Sequence, residues 1–250
     1  MPKVLVVTNV DDIPTKAIDG KPTLVYWNIL CLAQCIRLAL VDAGVDFVDV
    51  RIEAGPPDEN YRKGWKLAKQ SIALRQVLTF PNLPYLFHPD LGDQGLVQSD
   101  SILRFIGKTY GRMGKEPALT DMYIEHMYDF DMEFTNIAYD LGPEATLTWL
   151  KNKLPMILKS MEKVIAENHY LSGQADPSMA DWKWYVFLYK MKMIHEQLGD
   201  ESTGSILRGN KNWVASYMQR MESIPSVKQY MESSSYMRHY LHSPHAKWRG

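Results

Sequence analysis

A strand–helix–strand pattern between Thr23 and Ile52 constrains this chain more than any other stretch. "TLVYW" is a short β-branched and aromatic run that predicts a strand. "LAQCIRLALVDAG" follows, with Leu32, Ile36, Ala39 and Leu40 on one helical face and Gly44 as a stop signal. "DFVDVRI" predicts a second strand, closed by the turn-rich "EAGPPDEN". Two strands joined through a helix lie parallel, with a right-handed crossover. Downstream, "LPYLFHPDLGDQGLVQSDSILRFIGKTYG" parses as strand, polar turn, strand and then a helix starting at Ser99. Residues 21–110 thus predict a compact α/β domain.

From Pro117 the character changes. Long segments such as "ALTDMYIEHMYDFDMEFTNIAYDL", "LTWLKNKLPMILKSMEKVIAEN" and "MADWKWYVFLYKMKMIHEQL" carry helical spacing, with breaks at "GPE", "SGQADPS" and "GDESTGS". Residues 117–238 predict an all-helical second domain whose Met and aromatic residues form its core. Residues 239–250 are left as a C-terminal tail. At the other end, "NVDDIPTKAIDGKP" is rich in Asp, Pro and Gly, so residues 1–20 are expected to form an extension or loose arm.

Composition narrows the function classes. A formal net charge of −1 gives no electrostatic reason to expect nucleic acid or an anionic membrane as partner. Two cysteines cannot staple a scaffold of 250 residues, and no apolar run approaches a membrane span. The N-terminal "MPKVLVV" is too short for a signal peptide, so a cytoplasmic location is expected. The His residues show neither HExxH nor a close Cys/His set, and no metal site is expected. There is no GxGxxG after a strand, no P-loop and no GxSxG elbow.

Three short stretches bear on chemistry. In "PNLPY", Pro84 cannot donate to a sheet ladder and belongs at an edge or turn. A cis Leu83–Pro84 bond would turn the Leu83 backbone outward toward an extended ligand, whereas a trans bond would leave an ordinary edge proline. In "QSDSI", Gln98 and Ser99 at a helix start offer either a carboxylate site or a simple cap. "SMAD", with Ser178 three residues before Asp181, is a capping-box variant, and Asp181 reads as a folding residue. The opening strand also raises a choice between a phenol, Tyr26, and two thiols, Cys31 and Cys35.

In order and spacing, these pieces resemble the cytosolic glutathione S-transferases, most closely the mu class. "YWNI" with "IRL" is similar to the family's first strand and helix, and "EAGPPDENYRKGW" to the extra loop of mu enzymes. "FPNLPYL" and "QSDSILRFIG" match the glutathione-binding strand and helix, and "YMESSSYM" the mu C-terminal helix. The resemblance implies a thioredoxin-like N-terminal domain, a helical second domain and a cis Pro84. It implies glutathione as co-substrate, a hydrophobic electrophile as second substrate, and a detoxifying homodimer in which Phe80 inserts into the partner subunit.

Carried over residue by residue, Tyr26 would hydrogen-bond the glutathione sulfur, with Trp27 beside it. Trp65 and Lys69 would hold the glycyl carboxylate, with Arg62 nearby. Asn82, Leu83 and Pro84 would receive the cysteinyl segment, and Gln98 and Ser99 the γ-glutamyl end. Leu32 would line the wall between the two substrates, with Tyr139 a candidate on the electrophile side. Glu133 would reach the γ-glutamyl amine across the dimer, with Asp131 as the competing choice.

The chain also departs from the family. Leu30-Cys31 stands where Arg-Gly is usual, and the stretch between Trp65 and Phe80 is longer than the mu pattern. These features keep two alternatives open: a Cys31-dependent thiol reductase, and a non-catalytic glutathione-binding protein. Cys35, on the inner helix face, reads as a buried core thiol.

Overall fold

The computed structural model describes residues 1–55, 63–198, 204 and 213–250. Five strands form one mixed sheet: β1 Lys3–Val7, β2 Thr23–Trp27, β3 Val48–Ile52, β4 Tyr85–Phe87 and β5 Leu96–Val97. Their spatial order is β1-β3-β2-β4-β5. β1 and β2 both run parallel to β3, while β4 runs antiparallel to β2 and β5 antiparallel to β4. The crossover between β2 and β3 is helix α1, Gln34–Asp42, as the sequence pattern requires. Leu24, Val25, Val48 and Val50 are wholly buried, which fits a parallel centre covered on both faces.

Short helices α2, Lys63–Ala68, and α3, Ile72–Val77, lie between β3 and β4. Helix α4, Ser99–Thr109, follows β5. The second half is helical: α5 Pro117–Asp140, α6 Pro143–Glu167, α7 Met179–Leu198, α8 Trp213–Glu222 and α9 Pro225–Glu232. Proline opens α5, α6 and α9, where its missing N–H has no intrahelical partner to lose. α7 is buried along most of its length and packs against α1, α4, α5 and α8, as expected of a helix apolar on nearly every face. Asp181 in its first turn is a folding residue. Its carboxylate accepts the backbone N–H groups of Leu171 (2.7 Å), Ser172 (3.2 Å) and Ser178 (2.8 Å), and the Tyr217 hydroxyl (2.9 Å).

One expectation is corrected. Residues 1–20 are not a loose arm, because Lys3–Val7 joins the sheet with Lys3 opposite Val48 and Val7 opposite Ile52. The outer edge of β3 would otherwise leave its backbone groups unpaired, and the five-residue, Val-rich strand Lys3–Val7 covers it. The turn-rich segment after it is also tied down. The Pro14 carbonyl accepts the Tyr85 hydroxyl at 2.7 Å, and Ile18 N–H donates to Thr23 Oγ1 at 2.9 Å.

Candidate active site

Strand register decides which candidates meet. Val25 pairs with Tyr85, and Tyr85 pairs with Val97. One step beyond that row, Tyr26 on β2, Pro84 before β4 and Gln98 after β5 therefore share one end of the sheet. The Leu83–Pro84 bond at this end is cis. Helix α4 begins at Ser99, with Gln98 as its N-cap in a left-handed backbone at φ 72°. The first-turn amides of α4 thus open at the same sheet end, and no side chain caps them. Asp100 in that turn faces inward and accepts a 2.5 Å bond from Lys183 of α7, anchoring the helix start to the second domain.

The remaining candidates divide by exposure. Trp65 of α2 is buried, stacked on Tyr85 with ring centroids 6.3 Å apart. Trp27 and Leu32 are half-buried. Asn82, Gln98 and Lys69 are exposed, and the Lys69 carbonyl accepts Arg75 Nε at 3.2 Å. Arg62 lies outside the described residues. Glu133 is 42% exposed and sits 3.7 Å from Lys153 of α6. Asp131, its competitor, turns inward instead, and both carboxylate oxygens accept the buried Lys190 ammonium, at 2.6 and 2.8 Å. An aspartate engaged in this way is not free to reach another subunit.

The phenol and the first thiol are neighbours. Tyr26 is buried, and the Cys31 thiol acts on it electrostatically. Burial pushes the Tyr26 phenol well above its ordinary range, so it remains a protonated donor. Burial also raises the Cys31 thiol, against the pull of the Lys190 charge. Cys31 has φ 21°, at the margin of the left-handed region that favours glycine. Cys35 is an inert core thiol: it donates to the Leu32 carbonyl at 3.5 Å, and burial pushes it up to about 12.

Three features of this site escaped the sequence. The loop after β2 is held by the wholly buried Arg37, which donates to the Ile29 carbonyl at 3.0 Å and pairs with Asp49. The Lys190–Asp131 ion pair acts electrostatically on Cys31. Its signal was a lysine on the buried face of "WYVFLYKMKM" with an acid in the apolar run of α5. The C-terminal tail also reaches the site: Leu30 and Cys31 N–H donate to the carbonyls of Tyr240 (2.9 Å) and Leu241 (3.2 Å). No local pattern announces that contact. Among the described residues, no cluster of His, Cys, Asp or Glu could hold a metal ion, and no helix is long and apolar enough to cross a membrane.

Comparison with known proteins gives the chain its relatives. Residues 128–234 match the family model described as "Glutathione S-transferase, C-terminal domain". A glutathione S-transferase of Dermatophagoides pteronyssinus is 31% identical over 92% of this chain and 97% of its own length. Human glutathione S-transferase Mu 5 is 28% identical over 90% of this chain and 97% of its own length. Among solved structures, a pi-class glutathione S-transferase of Onchocerca volvulus superposes with a TM-score of 0.71 at 24% identity, covering 90% of this chain and 99% of its own. The chain belongs to the glutathione S-transferase family.

Proposed function

We propose that the chain is a mu-like, homodimeric, cytoplasmic transferase that conjugates glutathione to hydrophobic electrophiles, with Tyr26 activating the thiol. The observation that carries this reading is the gathering of Tyr26, the cis Leu83–Pro84 bond and Gln98 at one end of the sheet, with the buried Tyr26 phenol kept protonated. A free thiol has a pKa near 8.5 and is mostly protonated at neutral pH. A phenol donating to the sulfur favours the anion, and one unit of lowering corresponds to about 1.4 kcal/mol. Because Tyr26 stays protonated, it can make that bond across the working pH range.

In this reading the open amides at the start of α4, with Gln98 and Ser99, receive the γ-glutamyl carboxylate. Asn82 and the Leu83–Pro84 backbone receive the cysteinyl segment, and Trp65, Lys69 and Arg62 the glycyl end. Glu133 serves the γ-glutamyl amine of the partner subunit. Leu32 and Tyr139 border the electrophile, which proximity then brings into reaction with the thiolate. The exposure of Phe80, at 72%, supports an anchor in a second subunit. Turnover by a Cys31 thiolate is disfavoured because burial raises that thiol rather than lowering it.

The test is conjugation of chloro-dinitrobenzene by wild type, Tyr26→Phe and Cys31→Ser, with binding to immobilised glutathione in parallel. The expected result is a loss of about 10- to 100-fold in kcat/KM for Tyr26→Phe, the worth of about one to two pKa units. Cys31→Ser is expected to retain turnover. Full activity in Tyr26→Phe with none in Cys31→Ser would install the thiol reading, and binding without turnover in wild type the non-catalytic one.

A further inference from the structure

After β1 the chain leaves the sheet at the end where Tyr26 lies, since Val7 and Trp27 both pair with Ile52. The Val7 carbonyl holds it there by accepting Glu53 N–H at 2.9 Å. Residues 8–19 then run back toward the start of β2 through a short helical turn, Val10–Asp12. Asn9 fastens that turn. Its side-chain carbonyl accepts Asp11 N–H at 3.3 Å and its backbone carbonyl accepts Asp12 N–H at 3.2 Å. At the far end Ile18 N–H donates to Thr23 Oγ1, on the first residue of β2.

Helix α2 depends on this segment. It is only six residues long, and a helix of that length has little stability of its own. Among the described elements, the one it packs against most is the turn Val10–Asp12. The buried Ile13 shares a cleft with Leu67 and Ala68 of α2 and with Ser71 and Leu74 at the start of α3. A second tie runs through Tyr85. Its ring stacks on Trp65 of α2, with centroids 6.3 Å apart, and its hydroxyl donates to the Pro14 carbonyl at 2.7 Å. Both buried residues of α2, Trp65 and Ala68, thus sit against the segment or against a ring bonded to it.

We propose that residues 8–19 are a positioning element of the glutathione site, which holds α2 so that Trp65 and Lys69 meet the glycyl carboxylate. The assignment of those two residues rests on the transferase reading; the packing of the segment on α2 does not. In this role the segment touches no part of the ligand. It fixes α2 before glutathione arrives, so that binding does not have to order the helix. A site held in advance binds more tightly for the same contacts. The cysteinyl and γ-glutamyl ends are received by other elements, the turn before β4 and the start of α4. The effect of the segment therefore falls on the glycyl end.

The test uses two ligands that differ only at that end, glutathione and γ-glutamylcysteine, which lacks the glycine. Calorimetric Kd values for both are compared in wild type, Ile13→Ala, Ile13→Val and Tyr85→Phe. Hydrogen exchange is followed at the Lys69, Gln70 and Ser71 amides, which bond back to α2 carbonyls. Ile13→Ala removes the side chain packed beside Ala68, while Tyr85→Phe keeps the ring on Trp65 and releases only Pro14. In both, exchange at these amides is expected to speed by about threefold or more. The glutathione Kd is expected to rise about fivefold, while that of γ-glutamylcysteine stays within about twofold of wild type. Ile13→Val keeps most of the side chain and should match wild type in both readouts. Unchanged exchange overturns the packing role. An equal rise in Kd for the two ligands, which general destabilisation would give, overturns the selective effect on the glycyl end. If Ile13→Ala does not fold, the Tyr85→Phe result alone decides. Equal affinity of wild type for the two ligands would defeat the glycyl assignment and the positioning role with it, even where exchange responds. Absence of turnover in wild type bears on the transferase reading alone, because neither readout needs turnover.

Discussion

At the scale of single residues, the sequence marks the site by residue type and the structure by environment. Tyr26 could be picked out because the family pattern surrounds it, but the influence of the Cys31 thiol on it depends on a loop geometry that no spacing encodes. His242 is the clearer case of a residue whose character comes entirely from its surroundings. It faces Tyr139 from α5 and Phe134 and Trp248 beside it, with the Asp131–Lys190 pair acting from α5 and α7. Burial, aided by the Lys190 charge, lowers its pKa to about 3, while the unfolded chain carries an ordinary histidine near 6.5. Between those values the unfolded state binds the extra proton, so stability falls as pH falls from about 6.5 towards 3 and is unaffected above that window. Urea unfolding across pH should show wild type losing up to about 1.4 kcal/mol per pH unit relative to His242→Phe in this range. Parallel curves for the two proteins would contradict a buried neutral imidazole.

At the scale of elements, most of the fold was legible. β2, α1 and β3 announce themselves through a β-branched run, an amphipathic face and a glycine stop, all local signals. The long helices are legible for the same reason, and the S-x-x-D box located the start of α7 and identified Asp181 as structural. Replacing Asp181 with Ala strands the amides of Leu171, Ser172 and Ser178 in the core. A loss of about 3 kcal/mol or more is expected in chemical denaturation, since each unsatisfied buried donor costs about 1–3 kcal/mol. A change below 1 kcal/mol would mean that water replaces the carboxylate. β1 and the tail were not legible, because their partners are distant in sequence. The first completes an edge set by β3, and the second is held by backbone carbonyls whose acceptance of a bond leaves no trace in side-chain pattern.

At the scale of the whole molecule, one sheet end and one helix start gather around Tyr26, and large apolar side chains are left exposed. Phe80 is 72% exposed, and Ile72 nearby in sequence is 77% exposed, a large apolar display for a chain that would act alone. Phe80→Asp is expected to convert a dimer to monomer in sedimentation velocity while leaving the helical circular dichroism unchanged; a monomeric wild type would contradict the anchor. The central claim, that Tyr26 turns bound glutathione into a thiolate, is tested most directly by the ultraviolet absorbance of that thiolate as pH is varied. The wild-type complex should titrate at least one unit below free glutathione, and the Tyr26→Phe complex should return to within about half a unit of it. Identical titrations in the two complexes would contradict the account.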